Sequence, residues 1–336
     1  MIAQVVEPKC SYFGICGGCA FQNRSYEEQL ELKRQIVQEE LRPFGLISVP
    51  PTIPSLKPYH YRNMISMTVK RRQGMLRLGF MGQDQRLFVP IEACAIADER
   101  LNQYLPHALK RLESLPPKRR FRTSQIALRV SESDEVVTTL RDDREKILEC
   151  TIEEKQFSYA VSSFFQNNVS ILESLVQAVR FFLEPNGEGV LLDLYSGVGL
   201  FGVLLADSYD QVFGFEEGYQ AVQHARQNVN RNGVSNISFL EGRVEVLLPR
   251  FWETIPKSFS LLHVIVDPPR MGMKEEVIEE LNKLPINRLV YVSCELSSLV
   301  RDLRLLEKRF KITAVQPLDL FPQTKHVETI VLLEPC

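Results

Sequence analysis

The sequence predicts an α/β protein, with a doubly wound, Rossmann-like parallel sheet in its second half and a smaller antiparallel β unit before it. Two patterns in the 336 residues support this prediction. After about residue 165, short apolar strands alternate with helical segments, which is typical of a parallel sheet covered by helices on both faces. Before that point, apolar and polar residues alternate along short runs that are separated by turn sequences such as RRQG and GQDQ.

A helix is predicted over residues 24–42, ahead of both sheets. Leu30, Ile36, Val37 and Leu41 recur at helical spacing, with charged residues between them. A proline and a glycine follow directly, and the proline-rich stretch after them is typical of a linker. The apolar stripe of this helix requires a packing partner.

The antiparallel unit is predicted from five runs, MISMTVKRR, MLRLGFM, RLFVPI, QIALRVS and EVVTTLR. Residues 51–130 hold 15 Lys and Arg against 5 Asp and Glu, a local balance of +10, which leaves −12 for the rest because the whole chain carries −2. A basic unit attached to an acidic one indicates a module that binds a polyanion such as RNA. A solvated, arginine-rich surface is the alternative.

The parallel sheet is predicted from seven strands with helices between them. The helix ILESLVQAVRFFL precedes the strand GVLLDLY, and a glycine turn and a second helix follow. The remaining strands are VFGFE, ISFLEG, LLHVIVDPP, LVYVSC, FKITAVQPLD and ETIVLLE, with an antiparallel end to the sheet. We therefore divide the chain into residues 1–50 (a cysteine-containing segment and the helix), 51–160 (the basic β unit) and 161–336 (the parallel-sheet unit).

Three cysteines fall within ten residues in CSYFGICGGC, at positions 10–19. The chain has seven cysteines, no signal-peptide pattern at its start and no apolar run of the roughly 18 residues that span a membrane. We therefore expect a cytoplasmic protein that binds no membrane. In such a protein, clustered cysteines serve metal binding or catalysis more often than disulfides.

The turn DLYSGVGLFG carries Gly197, Gly199 and Gly202 in the spacing GxGxxG, which alone is a weak nucleotide-binding signal. Two acids favour S-adenosylmethionine over NAD. Asp193 lies at a strand end, where a cationic ligand is favoured, and Glu216 ends the next strand, where acids bind ribose hydroxyls. A tight strand-to-helix turn without a ligand is the alternative.

Three further strand ends carry reactive side chains. VIVDPPR ends a strand at Asp267, LVYVSCE places Cys294 at the end of another, and HVETIVLLE supplies His326 and Glu328 just before the last strand. Because ligands bind at the carboxyl edge of such sheets, we expect these side chains to lie close together. Each of them alone has an ordinary structural explanation: a proline-rich loop, a core cysteine or a solvated carboxylate.

A thiol, a carboxylate and a methyl donor at one sheet edge suit methylation at C5 of a pyrimidine. That carbon is not nucleophilic until a nucleophile adds to C6, which Cys294 could do. Glu328 could then remove the C5 proton and allow the thiol to leave. Methylation of an exocyclic amine would need neither group.

The sequence resembles the bacterial RNA uracil-5-methyltransferase family, which makes 5-methyluridine in transfer RNA and 23S ribosomal RNA. The resemblance rests on CSYFGICGGC with EACAI, and then on YHYRNMISMTVK, SSFFQNN, LDLYSGVGLFG, VIVDPPR, YVSCE and LDLFPQTKHVET. It implies a class I methyltransferase domain, an early helix packed on that domain, and a monomer that acts on RNA, with 23S ribosomal RNA favoured over transfer RNA. It implies the following roles: Cys294 as nucleophile, Glu328 as base, and Gln166, Tyr195, Glu216 and Asp267 as S-adenosylmethionine contacts.

The resemblance also implies a [4Fe-4S] cluster on Cys10, Cys16, Cys19 and Cys94. The spacing of these four thiols alone suits iron–sulfur and tetrahedral zinc equally well. Many ribosomal members carry an N-terminal β-barrel that binds RNA. Since the cysteine motif begins at residue 10, we expect that barrel to be absent and RNA affinity to rest on residues 51–130.

Two other classes of function fit parts of the sequence. A nicotinamide dehydrogenase would use the glycine turn but leave Cys294 and Glu328 without a role. A non-catalytic, RNA-binding iron–sulfur scaffold would account for the charge division and the four cysteines, but not for the residues at the strand ends.

Overall fold

The computed structural model describes residues 6–45, 47–72, 75–115, 125–143, 146–255 and 259–336. The helices in these ranges are α1 (Tyr26–Leu41), α2 (Glu99–Ser114), α3 (Leu172–Leu183), α4 (Leu200–Leu205), α5 (Tyr219–Arg231), α6 (Val244–Thr254), α7 (Glu275–Leu281) and α8 (Leu296–Leu306). None of these helices is long and apolar enough to cross a membrane.

The strands form three sheets. The first half of the chain contributes β1 (Met64–Arg72), β2 (Met75–Met81), β3 (Phe88–Pro90), β4 (Gln125–Val130), β5 (Val136–Thr138), β6 (Ile147–Ile152) and β7 (Lys155–Ala160). The second half contributes β8 (Val190–Leu194), β9 (Gln211–Glu216), β10 (Ile237–Glu241), β11 (Leu262–Val266), β12 (Arg288–Ser293), β13 (Phe310–Leu318) and β14 (Glu328–Pro335).

The seven strands of the second half form one sheet in the order β10-β9-β8-β11-β12-β14-β13. The first five are parallel, whereas β14 runs antiparallel to both β12 and β13. The doubly wound sheet and its antiparallel end are therefore confirmed. The strand order reverses between β8 and β11, which is the point where open α/β sheets bind ligands.

The antiparallel sheet has the order β3-β2-β1-β4-β5 and is covered on one face by α2. The buried residues of α2 recur every three or four positions, at Leu101, Leu105, Ala108 and Leu112. The sequence analysis did not predict this helix, although its apolar spacing is helical. The hairpin β6–β7, which lies within the predicted 51–160 unit, instead shares its buried residues with the core of the seven-stranded sheet.

The helix α1 packs on the seven-stranded sheet, as expected. Val37 and Leu41 belong to the same buried cluster as the residues of β8, β11 and β12. The predicted apolar stripe needs a correction, however, because the fully buried face of α1 also contains Gln29 and Lys33. Both are buried because they have polar partners on the loop between β13 and β14, described below.

Candidate active site and cysteine pocket

The register of β12 and β14 places Cys294 opposite Glu328. Ser293 pairs with Thr329 in this antiparallel ladder, so the next pair in register joins Cys294 and Glu328. Side chains of directly opposed residues lie on the same face, with Cβ atoms about 5 Å apart. The sheet therefore brings the predicted nucleophile and the predicted base together, although they are far apart in sequence.

Asp267 and Tyr195 lie at the same carboxyl edge. Val266 pairs with Leu194, so the residues that follow these two are neighbours. The backbone N–H of Asp267 donates to the carbonyl of Leu194 at 3.3 Å, which continues the ladder past its last formal pair. We call Tyr195, Asp267, Cys294 and Glu328 together the active-site edge.

The active-site edge is electrostatically unusual, because burial disfavours charge on all of its acids. Burial and the charge of Asp267 raise the pKa of Glu328 well above its ordinary value, and burial raises the pKa of Asp267 to about 7. Burial, Glu328 and Asp267 together raise the pKa of Cys294 to about 12. Arg270 opposes these shifts for both Cys294 and Glu328. The sequence analysis quoted the motif containing Arg270 but gave this cation no role.

The glycine turn is shaped by Asp193, which is fully buried. Its Oδ2 accepts a hydrogen bond from the Gly202 N–H at 2.9 Å, and its Oδ1 has no partner among the described residues. Burial, with the charges of Asp267 and Glu216, raises the pKa of Asp193 to about 7. Gly199 has a φ of +86°, and a Cβ there would lie 2.7 Å from the ring of Phe239, so both conformation and space require glycine.

Glu216 closes the same turn. Its carboxylate accepts hydrogen bonds from the N–H groups of Gly197 at 3.0 Å and Gly218 at 2.7 Å. Gln166 lies on the chain that enters α3, is nearly buried, and accepts a hydrogen bond at its carbonyl from Asn63 Nδ2 at 3.2 Å. The structure thus places Glu216 beside the glycine turn and ties the loop of Gln166 to the antiparallel sheet.

A buried arginine that the sequence analysis missed holds this loop. Arg129 on β4 is fully buried and donates to the carbonyls of Ser163 at 3.0 Å and Phe165 at 2.9 Å. The ring of Phe165 stacks on Tyr159 with centroids 4.2 Å apart, so it is enclosed in the core. Phe164, in contrast, is 70% exposed. Alternation along β4 gave no indication that one of its charged residues points into the protein.

The four predicted ligand cysteines, Cys10, Cys16, Cys19 and Cys94, line a single cavity of about 290 Å³, which we call the cysteine pocket. The pocket is closed by contact with the end of β2. Cys16 forms a β-bridge with Gly82, and the Gly17 N–H donates to the Met81 carbonyl at 3.0 Å. A Cβ on Gly17 would lie 2.9 Å from the Gly82 oxygen, so this approach requires glycine.

The described part of the chain shows no group of three or more His, Cys, Asp or Glu side chains arranged around a common ion position. Burial raises the pKa of Cys19 to about 12, with smaller contributions from the neighbouring thiols. Arg62 also lines the pocket, and its Nε has no partner among the described residues. The pocket therefore combines four sulfur donors with one half-buried cation.

Comparison with known families agrees with this architecture. Residues 133–336 match the family model described as tRNA (uracil-5-)-methyltransferase. The chain belongs to this family. Its prediction as an RNA methyltransferase is thereby confirmed, and the matched region contains the whole active-site edge.

Two relatives illustrate the similarity. The chain is 30% identical to the tRNA (uracil(54)-C(5))-methyltransferase of Schizosaccharomyces pombe over 347 residues, which cover 97% of this chain and 65% of the yeast protein. It is 29% identical to an RNA methyltransferase of Clostridium tetani over 386 residues, which cover 98% of this chain and 83% of the relative.

Among solved structures, the Pyrococcus abyssi tRNA (uracil-54, C5)-methyltransferase in complex with S-adenosyl-L-homocysteine is similar, with a TM-score of 0.69 and 25% identity. The superposition covers 95% of this chain and 86% of the archaeal chain. The class I methyltransferase fold predicted for the second half of the chain is therefore confirmed.

Proposed function

We propose that this protein methylates C5 of a specific uridine in RNA, with S-adenosylmethionine as methyl donor and a covalent bond between Cys294 and C6 as intermediate. The observation that carries the proposal is the strand register that sets Cys294 opposite Glu328. The glycine turn, with its two acids, opens onto the same sheet edge. A dehydrogenase would need neither Cys294 nor Glu328.

The reaction follows from the positions of these groups. The Cys294 thiol gives up its proton to solvent and its sulfur adds to C6 of uracil, and the electron pair of the C5–C6 double bond makes C5 nucleophilic. S-adenosylmethionine supplies the methyl group that C5 takes up. Glu328 then accepts the C5 proton, the C5–C6 double bond re-forms, and the Sγ–C6 bond breaks to return the thiolate. Burial and the charge of Asp267 raise the pKa of Glu328 above its ordinary value, which makes its carboxylate a stronger base for this step.

The methyl donor is cationic, and the acids around the glycine turn favour a cation. Burial raises the pKa values of Asp193 and Asp267 to about 7 in the free protein. An adjacent positive charge would lower these pKa values and so favour the ionised form of both acids. The Glu216 carboxylate accepts hydrogen bonds from two N–H groups of the turn. Its remaining lone pairs can accept hydrogen bonds from ribose hydroxyls. We assign Tyr195 and Gln166 to the same ligand from their places beside the turn and the loop before α3.

The cysteine pocket fits a [4Fe-4S] cluster better than a single zinc ion. Zinc requires four sulfurs about 2.3 Å from one point, and no three described donors converge in that way. A cluster binds its cysteines at four separate irons, so its donors surround a larger volume, and all four cysteines line the 290 Å³ cavity. Anaerobically purified protein should be brown and contain about four irons per chain. Colourless protein with stoichiometric zinc would contradict the assignment.

The RNA surface that we propose includes the outer face of β1 and β2. Lys70 and Arg77 are exposed and pair directly across these two strands. Arg119 and Arg120, which also belong to the basic region 51–130, lie outside the described residues. Phe164 is the exposed aromatic next to the loop of Gln166 and is positioned to stack on a uracil that has left its helix.

We propose 23S ribosomal RNA as the substrate, on the resemblance of the cysteine motif, with transfer RNA as the second candidate. The second candidate is favoured by the names of the yeast and archaeal relatives. Mapping 5-methyluridine in both RNAs from a strain lacking this protein decides between them. If both RNAs keep all their 5-methyluridine in that strain, the proposed activity is contradicted.

The chemistry is tested with Glu328→Gln. This variant should still add to C6 and transfer the methyl group, but it should release product slowly and accumulate a methylated covalent RNA complex, visible on a denaturing gel. Cys294→Ala should form no complex, even with 5-fluorouridine RNA. A Glu328→Gln protein that turns over normally would remove this residue from the role of base.

A further inference from the structure

The loop that leads to Glu328 is held by the N-terminal segment rather than by the sheet that carries it. Leu318 on β13 pairs with Glu328 on β14, so residues 319–327 form the connection between these strands. We call this connection the base loop. Apart from the bonds within the loop that Thr324 and His326 make, its polar groups bond to partners that lie before residue 65 or at Asn168.

Gln323 makes several of the hydrogen bonds that hold the base loop. Its φ is +69°, a conformation that a residue other than glycine rarely adopts, and the side chain is buried. Its carbonyl accepts hydrogen bonds from the N–H groups of Ala20 at 2.9 Å and Phe21 at 3.0 Å. Its side chain and N–H form a reciprocal pair with the Gln29 amide at 3.0 and 3.1 Å, and its Nε2 donates to Pro58 O at 3.3 Å.

A buried ion pair supports the same loop. Lys33 on α1 is bonded to Asp319, and both side chains are completely buried. The Lys33 ammonium also donates to the Phe321 carbonyl at 2.9 Å. The Tyr61 hydroxyl donates to the Pro322 carbonyl at 3.1 Å. Buried charges and amides that are paired in this way favour one conformation of a loop, because movement would leave these polar groups without their partners.

The segment that bonds to Gln323 is continuous with the cysteine pocket. Ala20 directly follows Cys19, and Gln22, two residues further on, accepts a hydrogen bond from the Cys10 N–H at 3.0 Å. One short stretch of chain therefore lines the pocket at one end and bonds to the base loop at the other. A group bound by Cys19 would fix the two N–H groups that hold Gln323.

We propose that Gln323 is a positioning residue that couples the cysteine pocket to the catalytic base. In this proposal, which rests on the proposed role of Glu328, the occupied pocket fixes residues 19–21, these fix Gln323, and Gln323 fixes the base loop and hence the Glu328 carboxylate. The nucleophile Cys294 directly follows β12 and lies outside this chain of contacts. Loosening the coupling should therefore slow proton removal while leaving addition to C6 and methyl transfer largely intact.

The test measures how turnover divides between product and covalent complex. Gln323→Gly permits the positive φ but removes the side-chain bonds. We expect the trapped fraction, defined as covalent RNA complex relative to released product, to rise about tenfold, since a misplacement of about 1 Å can cost up to 100-fold. This ratio does not depend on how much of the enzyme is folded. Gln29→Ala removes the partner amide from α1 and should act in the same direction.

Controls separate this proposal from a general loss of structure. Gln316→Ala removes a glutamine on β13 that also bonds to a proline carbonyl of the N-terminal segment, that of Pro51 at 3.0 Å, but lies outside the base loop. It should leave the trapped fraction unchanged. Gln323→Asn, which tolerates a positive φ and keeps an amide, should restore part of the wild-type ratio. Cys94→Ser, which removes a ligand without touching the loop, should raise the trapped fraction as Gln323→Gly does.

Two results would overturn the proposal. One is a Gln323→Gly protein whose product formation and trapped complex fall in parallel. The other is a Cys94→Ser protein with a wild-type trapped fraction after its iron content has been shown to be lost. Glu328→Gln serves as the separate check on the underlying function: if it traps no complex, the assignment of the base fails, whatever Gln323 does.

Discussion

The active-site edge and the cysteine pocket both hold reactive sulfur, but they are built from different kinds of structure. The edge is formed by the ends of neighbouring strands in one sheet, so the ladder of hydrogen bonds sets the position of Cys294. The pocket is formed by an irregular segment and a distant loop that meet at the end of β2. We propose that a bound group holds its donors together.

This difference predicts that the active-site edge determines the reaction, whereas the cysteine pocket mainly stabilises the fold. A substitution at the active-site edge should change the reaction and leave folding almost untouched, since the sheet persists without the side chain. A substitution in the cysteine pocket should change folding and the position of neighbouring segments, and the reaction only through them.

Cys294→Ala should reduce methylation by at least about 10⁴-fold, because no other group activates C5. Its free energy of unfolding should stay within about 0.5 kcal/mol of the wild-type value, since the thiol is at the edge and not in the packed core. Transfer of labelled methyl groups to RNA and urea unfolding measure the two effects. Cys336→Ala, which removes an exposed thiol, is the matched control and should change neither. Residual methylation by Cys294→Ala would exclude conjugate addition.

Cys94→Ser should show the opposite pattern. We expect loss of bound iron and a fall of several kcal/mol in the free energy of unfolding, because metal binding to a site formed only in the folded state contributes directly to stability. Methylation should fall far less than in Cys294→Ala. Iron analysis, denaturation and the methyl-transfer assay on one preparation test this together. Full stability without iron would show that the pocket needs no bound group.

Lys33→Met should destabilise the protein by about 3–5 kcal/mol, because it leaves the buried Asp319 without its cation. The double variant Lys33→Met with Asp319→Leu should recover much of this loss, since no buried charge remains. Urea unfolding of the single and double variants measures the coupling between α1 and the base loop. A loss below about 1 kcal/mol for the single change would mean that the pair contributes no more than a surface ion pair.

The sequence predicted the seven-stranded sheet because its strands are apolar runs bounded by turns, and their ends carry Asp193, Asp267 and Cys294. The convergence of these ends follows from parallel topology, which is why much of the candidate site could be predicted. The helix α2 was not predicted, because the runs on both sides of it have the alternation of β-strands. Its buried residues nevertheless have helical spacing, at Leu101, Leu105, Ala108 and Leu112.

The contacts of the base loop could not be predicted from the sequence. Lys33 is paired with Asp319, 286 residues away. In the sequence alone, Lys33 cannot be distinguished from the other charged residues on the solvated face of the helix. Gln323 adopts a positive φ without being a glycine, so no residue type marks the turn. Arg129 is similar: it is a buried cation whose partners are backbone carbonyls, which have no sequence signature.

A further prediction concerns the acids at the active-site edge and the glycine turn. Asp193 and Asp267 have pKa values raised to about 7 in the free protein, against about 3.9 in an unfolded chain. Between pH 4 and pH 7 the folded state therefore binds more protons than the unfolded state, and stability should fall as the pH rises through this window. Thermal unfolding across this range measures the slope.

S-adenosylmethionine should reverse part of this loss, because its sulfonium charge favours the ionised acids. Binding near pH 6 should release protons and become tighter as the pH rises towards about 8, which calorimetry in buffers of different ionisation heats detects directly. Asp193→Asn keeps an oxygen that can accept the Gly202 N–H and removes one titrating group, so it should release fewer protons on binding. If the wild-type protein bound the ligand with no proton release at pH 6, the acids would already be ionised. The active-site edge would then be less sheltered from water than its packing indicates.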